Sequence, residues 1–288
     1  MNAGRCLVLC FAVFCALIPV RGFGASSETT ASSSALDRGY HDAYNLDFTS
    51  AQREFAGWER EHPADPVAPV SEAAGILFGE LDRLGVLETQ FYEKDSVFLN
   101  RQKLSPDAAK RAQFDAALER ARSKAQLVLA KNPKDNDALF TMALVNGLQA
   151  DYAALVEKRN MASLGYTRDA TTWAHKLLTQ TPDYYDAYLA TGVSNYIIGS
   201  LAAPVRWLLR LGGYQGDKKQ GMHEVEITAA HGHYLAPFAR LLLAIAYLRQ
   251  NDQTRARELL AGLRDQFPAN PLFSREIARI DQANSGKH

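Results

Sequence analysis

Cysteine is nearly absent. The three in the chain, Cys6, Cys10 and Cys15, all stand among the first fifteen residues. The rest of the chain can form neither a disulfide nor a thiolate metal site. A chain of 288 residues can build a core that needs no such staple. Net charge is absent as well, with 32 basic against 32 acidic residues. A near-neutral surface lacks the field that neutralises phosphates, so nucleic acid is not an expected partner. No run alternates apolar and polar residues between turn signals, so essentially no sheet is expected.

What the sequence has begins at its N-terminus. Arg5 supplies a positive start, Cys6 to Val20 is an uncharged apolar run, and small residues follow at Gly22, Gly24 and Ala25. That order reads as a secretory signal peptide over 1–24, too short for a comfortable span, with cleavage after Gly22 or Gly24. Arg5 and Arg21 are the leader's two charges, so the remainder carries two more acids than bases. The Ser/Thr/Ala-rich stretch 25–36 reads as a flexible linker, and 284–288 as a tail. Beyond the signal, no stretch reads as a membrane span. The expected location is periplasmic or secreted.

A repeat occupies 37–283. Pro63, Pro133, Pro182 and Pro268 each follow a helical pattern and would end it. Twelve positions before each stands an alanine: Ala51, Ala121, Ala170 and Ala256. Eight before stand Phe55, Ala125, Ala174 and Leu260; five before, Trp58, Val128, Leu177 and Leu263. Ten after stand Ala73, Ala143, Gly192 and Ala278. Paired small residues let two helix axes approach, and the larger apolar residues fill the space beside the contact.

This register resembles the tetratricopeptide repeat (TPR). Gly39, Ala51, Phe55 and Pro63 fit its spacing, and so do Ala244, Ala256, Leu260 and Pro268, with Tyr247 at the family's aromatic position. The tryptophan of the strict motif is missing. The middle units are stretched: the small pairs Ala73/Ala121, Ala143/Ala170 and Gly192/Gly221 lie 48, 27 and 29 residues apart, where the family has twelve. The resemblance implies an all-α superhelix of about five hairpins with lengthened middle units and a polar-faced capping helix near 270–283. It also implies a scaffold for protein or peptide partners, with no cofactor. The family's carboxylate clamp is not supported, because Thr141 and Ala190 occupy two of its positions.

The expected helices are 106–131, 136–158, 163–180, 184–199 and 235–249. Capping is expected at Ser105-Pro106, Thr49/Gln52 and Asp217/Gln220. The first helices, which line the concave groove in the family, are unusually apolar. Leu139–Leu148 has only Thr141, Asn146 and Gly147 as exceptions, and Leu241–Leu248 only the Tyr247 hydroxyl. A helix apolar all round is buried all round. The leading expectation is that the chain's own insertions fill the groove; the alternatives are an apolar ligand and a partner's helix.

The candidate binding residues follow from these faces. Asn146 and Asn195 share a repeat position and could present amides within the groove, although a helix-end hydrogen bond is the commoner use. Ile245 lies on the same inner surface. Tyr188 belongs to a cluster with Tyr184 and Tyr185 that would ordinarily pack between hairpins. The insertion 199–214 carries Trp207 among Leu201, Val205, Leu208, Leu209 and Leu211, with Arg206 and Arg210 one turn apart. It reads as an interfacial helix with peripheral membrane contact, as a partner anchor, or as a short packing helix whose arginines reach solvent. His231-Gly232-His233 fits no zinc spacing and ends a helix. Ser194 lacks the second glycine of a nucleophile elbow. Gly212–Lys219 lacks the Lys-Ser/Thr pair of a phosphate loop and reads as a helix stop followed by a new N-cap. No acid–base pair stands out, so binding is expected rather than catalysis.

Overall fold

A computed structural model describes residues 33–87 and 104–285. The expected signal, most of the 25–36 linker and the last three residues lie outside the described residues.

Every regular element among the described residues is helical. The α-helices are α1 (Ala35–Tyr44), α2 (Phe48–Glu61), α3 (Val67–Arg83), α4 (Ala108–Lys131), α5 (Asn136–Asp151) and α6 (Asn160–Gln180). They continue with α7 (Tyr188–Ser200), α8 (Ala203–Leu211), α9 (Lys218–His231), α10 (Ala236–Arg249), α11 (Gln253–Gln266) and α12 (Pro271–Ser285). Antiparallel hairpins form from α1/α2, α3/α4, α5/α6, α7/α9 and α10/α11, and α12 packs on α11 as a cap. The described residues therefore form an all-α, TPR-like array of five hairpins and a closing helix.

The prolines set the register through one repeated geometry. Just before each, a backbone N–H closes the last turn on the carbonyl five positions before the proline. These bonds are His62 to Trp58 (2.8 Å), Asn132 to Val128 (2.8 Å), Thr181 to Leu177 (2.9 Å) and Phe267 to Leu263 (2.8 Å). The next turn repeats too: Asp65 donates to His62, Asp135 to Asn132, Tyr184 to Thr181 and Asn270 to Phe267, at 3.0–3.1 Å. Ala51, Ala121, Ala170 and Ala256 are buried, as are Phe55, Ala125, Ala174 and Leu260. Ala73 and Ala143 are buried where hairpins stack, whereas Ala278 on α12 is exposed.

The stretched middle units have identifiable contents. Helix α5 runs on through a π-turn at Tyr152–Val156, and Lys158, at φ 58°, separates it from α6. Asn136–Val156 is thus a continuous 21-residue apolar rod long enough to cross a bilayer, contrary to the sequence reading. It is instead the central core helix, with Leu139, Phe140, Met142, Val145 and Leu148 all buried. Between α7 and α9 stands the short helix α8, with no buried residue.

The caps differ in detail from the sequence reading. Asp47, not Thr49, caps α2 by accepting from Ser50 N–H (2.9 Å). Asp107, not Ser105, caps α4 through the Ala109 and Lys110 amides. In both cases a carboxylate nearby in sequence takes the orphan donors, an acceptor as good as a hydroxyl at this position. Asp217 does cap α9, but the Gln220 side chain turns to Glu224 (2.7 Å). A full capping box forms at Ser34/Asp37, so α1 begins two residues inside the linker stretch.

Candidate functional site

Among the described residues, the links between hairpins bring the two ends of the array together against α1. The array closes on itself. The link between α9 and α10 (residues 232–235) and the link between α11 and α12 (residues 267–270) both seat against α1. Tyr40 stacks on Tyr234, with ring centroids 4.6 Å apart. The Tyr44 hydroxyl donates to the Tyr234 carbonyl (2.8 Å). The Asn270 amide donates to the Tyr44 carbonyl (2.9 Å), and the Ala269 N–H to Asn45 Oδ1 (3.1 Å). Tyr44 also packs on Phe267, and His233 meets Asp37 at 2.7 Å. Deeper in, Phe78 of α3 lies edge-on to Phe238 of α10 (5.3 Å).

Asp186 organises this closure, and sequence reasoning does not single it out. Its buried carboxylate accepts from the Tyr234 (3.1 Å) and Leu235 (3.0 Å) amides. Leu235, the residue before α10, offers no side-chain cap of its own. Burial raises the Asp186 pKa from its ordinary value, and the amide hydrogen bonds oppose that rise. Nothing in the local sequence joins Asp186 to residues some 48 positions away. In the sequence the aspartate reads as one more acid, beside Tyr184, Tyr185 and Tyr188.

The candidate residues of the inner helices are used in packing. The Asn146 amide is buried and bonds back to the Met142 carbonyl (2.7 Å) within its own helix. Asn195 donates to the buried Glu224 of α9 (3.0 Å), tying the α7/α9 hairpin together. Tyr188 and Ile245 are half-buried on α7 and α10. Tyr184 packs on Phe140 and donates to Asp137, while Tyr185 lies over His231.

The insertion is different. Helix α8 stands on an elbow between α7 and α9. Pro204 sits in its first turn. Its stop is Gly213 in the left-handed region (φ 82°), with Tyr214 N–H bonded to the Leu209 carbonyl. The expected packing helix would turn its leucines inward and its arginines out. Here the Arg206 guanidinium donates to the Gly199 carbonyl of α7 (2.9 Å). Arg206 and Arg210 line a cavity of about 500 Å³ with Ile198, Tyr214, Lys218 and Lys219. Trp207 (64%), Leu208 (64%), Leu211 (67%) and Val205 (46%) face solvent. The reason lies in the base of the elbow. A Cβ added at Gly199 or Gly216 would overlap the facing backbone, so α7 and the start of α9 meet without a gap for α8 to fill. The apolar side of α8 has nowhere inside to go.

No family model and no curated protein matches the chain. Among solved structures, a thermophilic TPR protein of Thermus thermophilus superposes with a TM-score of 0.43 at 16% identity, covering 85% of this chain and 96% of that one.

Proposed function

We propose that the chain is an exported helical-repeat scaffold that holds a protein or peptide partner in the cell envelope, acting by binding rather than catalysis. The signal-like N-terminus supports export, and the TPR-like fold is consistent with interaction. One observation carries the reading: polar groups of the interior are engaged in the array's own packing and closure. Three polar groups of the inner helices and their links, Asn146, Asn195 and Asp186, serve internal bonds. A role carried by the interior would need such groups free around an opening; this molecule offers its outer surface instead. The alternative is a carrier of an apolar small molecule, for which the partly buried Phe78, Phe238, Val193 and Leu242 would supply apolar contacts.

Two measurements test this. N-terminal sequencing of the protein recovered from a periplasmic or secreted fraction should show cleavage after Gly22 or Gly24; an uncleaved cytoplasmic chain would end the export reading. Leu127 of α4 and Met161 of α6 stand 66% and 76% exposed, outside the elbow. A photo-cross-linker placed at either site in vivo should give one discrete protein adduct that purified competitor removes. A diffuse smear, or none at either site, counts against the scaffold.

A further inference from the structure

The elbow combines two features that belong together only at one kind of surface. One side of α8 is apolar and aromatic and unburied: Trp207, Leu208 and Leu211 are about two-thirds exposed, with Val205 beside them. The other side carries Arg206 and Arg210 over a cavity that Lys218 and Lys219 also line. The single acid of that lining, Asp217, is committed to the α9 cap, accepting from the Lys219 (2.8 Å) and Gln220 (3.1 Å) amides. Tyr214 at the same place has Arg168 of α6 over its ring. The elbow is therefore a cationic pocket next to an unpartnered apolar helix.

We propose that the elbow anchors the protein on an anionic phospholipid bilayer. An interfacial helix lies in the plane of the membrane, its apolar face sunk roughly 5–10 Å and its basic residues among the headgroups. Helix α8 has that division: Trp207, Leu208 and Leu211 enter the acyl boundary, where an indole ring sits well. Its arginines and the two lysines of α9 then lie at the level of the lipid phosphates. Two arginines and two lysines against one occupied carboxylate supply the charge complementarity for an anionic leaflet. A second copy of the chain fits less well. A nine-residue helix presenting four apolar side chains is far below the roughly 800 Å² per partner, from 20–30 residues, of a stable interface. A bilayer asks for no shape complementarity and no such area. The anchor does not depend on the identity of any protein partner, because its test needs none.

The experiment uses the purified chain with vesicles of phosphatidylcholine alone or of equimolar phosphatidylglycerol and phosphatidylcholine. Binding to the anionic vesicles should exceed binding to the neutral ones at least tenfold and should weaken as salt is raised. Brominated acyl chains should quench tryptophan emission, and Trp207→Phe should abolish the quenching while keeping most of the binding, since Trp58 and Trp173 lie in the body of the array. Leu208→Glu with Leu211→Glu should lower vesicle affinity at least tenfold. Arg206→Gln with Arg210→Gln should remove most of the anionic preference. All these positions are outside the core, so melting temperatures should match the parent and exclude misfolding as the cause. Absence of vesicle binding, or binding indifferent to the glutamates, overturns the proposal. Should the parent be a dimer that Leu208→Glu converts to monomer, the occupant is a second copy and the membrane reading falls. A specific protein adduct from position 207 without vesicle binding overturns it equally.

Discussion

Asp151 ends the central helix α5, and desolvation alone pushes its pKa up to about 7 from 3.8. A folded-state pKa above the unfolded one means that the native protein holds a proton the unfolded chain has released. Stability from this residue is therefore full below pH 4 and declines as the pH rises toward 7. Asp151→Asn should leave the melting temperature unchanged near pH 4 and raise it by a few degrees at pH 8, flattening the profile between. Equal effects at both pH values would show that the substitution acts by packing. The expected helix over 136–158 places Asp151 inside it, but the sequence gives no sign of which face the acid takes. The π-turn carries α5 onward to Val156, so half-buried residue 151 lies within a continuous helical stretch. The same limit applies to Asp186. By contrast the four alanines twelve before the prolines are legible, because each works through its own helix and its nearest neighbour.

Among the helices, a gap in the register does not hide the pair that flanks it. The small pair Gly192/Gly221 is readable although 29 residues separate it, and the structure puts it at the crossing of α7 and α9. A Cβ added at Gly192 would lie 2.9 Å from the Val225 backbone nitrogen, and one at Gly221 would overlap the backbone of Tyr196. Small-to-large changes in a packed contact cost about 1–3 kcal/mol when side chains can yield; here backbone must move. Gly221→Val should therefore cost more than about 3 kcal/mol in denaturant unfolding, whereas Gly262→Ala on α11, where nothing lies within 4 Å of an added Cβ, should not destabilise. A small loss at residue 221 would mean that the two helices can separate without penalty. The position of α8 is less legible than its existence. Its amphipathic pattern is plain in the sequence, but which side faces the body is decided by the glycine contacts at its base, and those pair residues 198–199 with 216–218 across the elbow.

For the molecule as a whole, closure changes how the array should behave. Stacked repeats ordinarily touch only their neighbours, so their ends fray and unfold by increments. Here α1 is bonded to segments some 190 and 226 residues away. Each such hydrogen bond contributes about 1 kcal/mol, and the Tyr40–Tyr234 stack a similar amount. The two ends are thereby coupled in one cooperative unit. Asp186 lies outside α1 and α2, yet it holds the 232–235 link that α1 docks on. Asp186→Ala would leave the Tyr234 and Leu235 amides without their acceptor, at about 1–3 kcal/mol for each unpaired group, and would loosen the link. Amide hydrogen exchange separates the two pictures. In the parent, α1 and α10 should share one protection level. In Asp186→Ala, α1 should exchange at least tenfold faster while α4, which packs chiefly on α3 and α5, keeps its protection. Fast exchange of α1 already in the parent would mean that the contacts between the ends carry no coupling, and that the groove opens readily enough to admit a ligand after all.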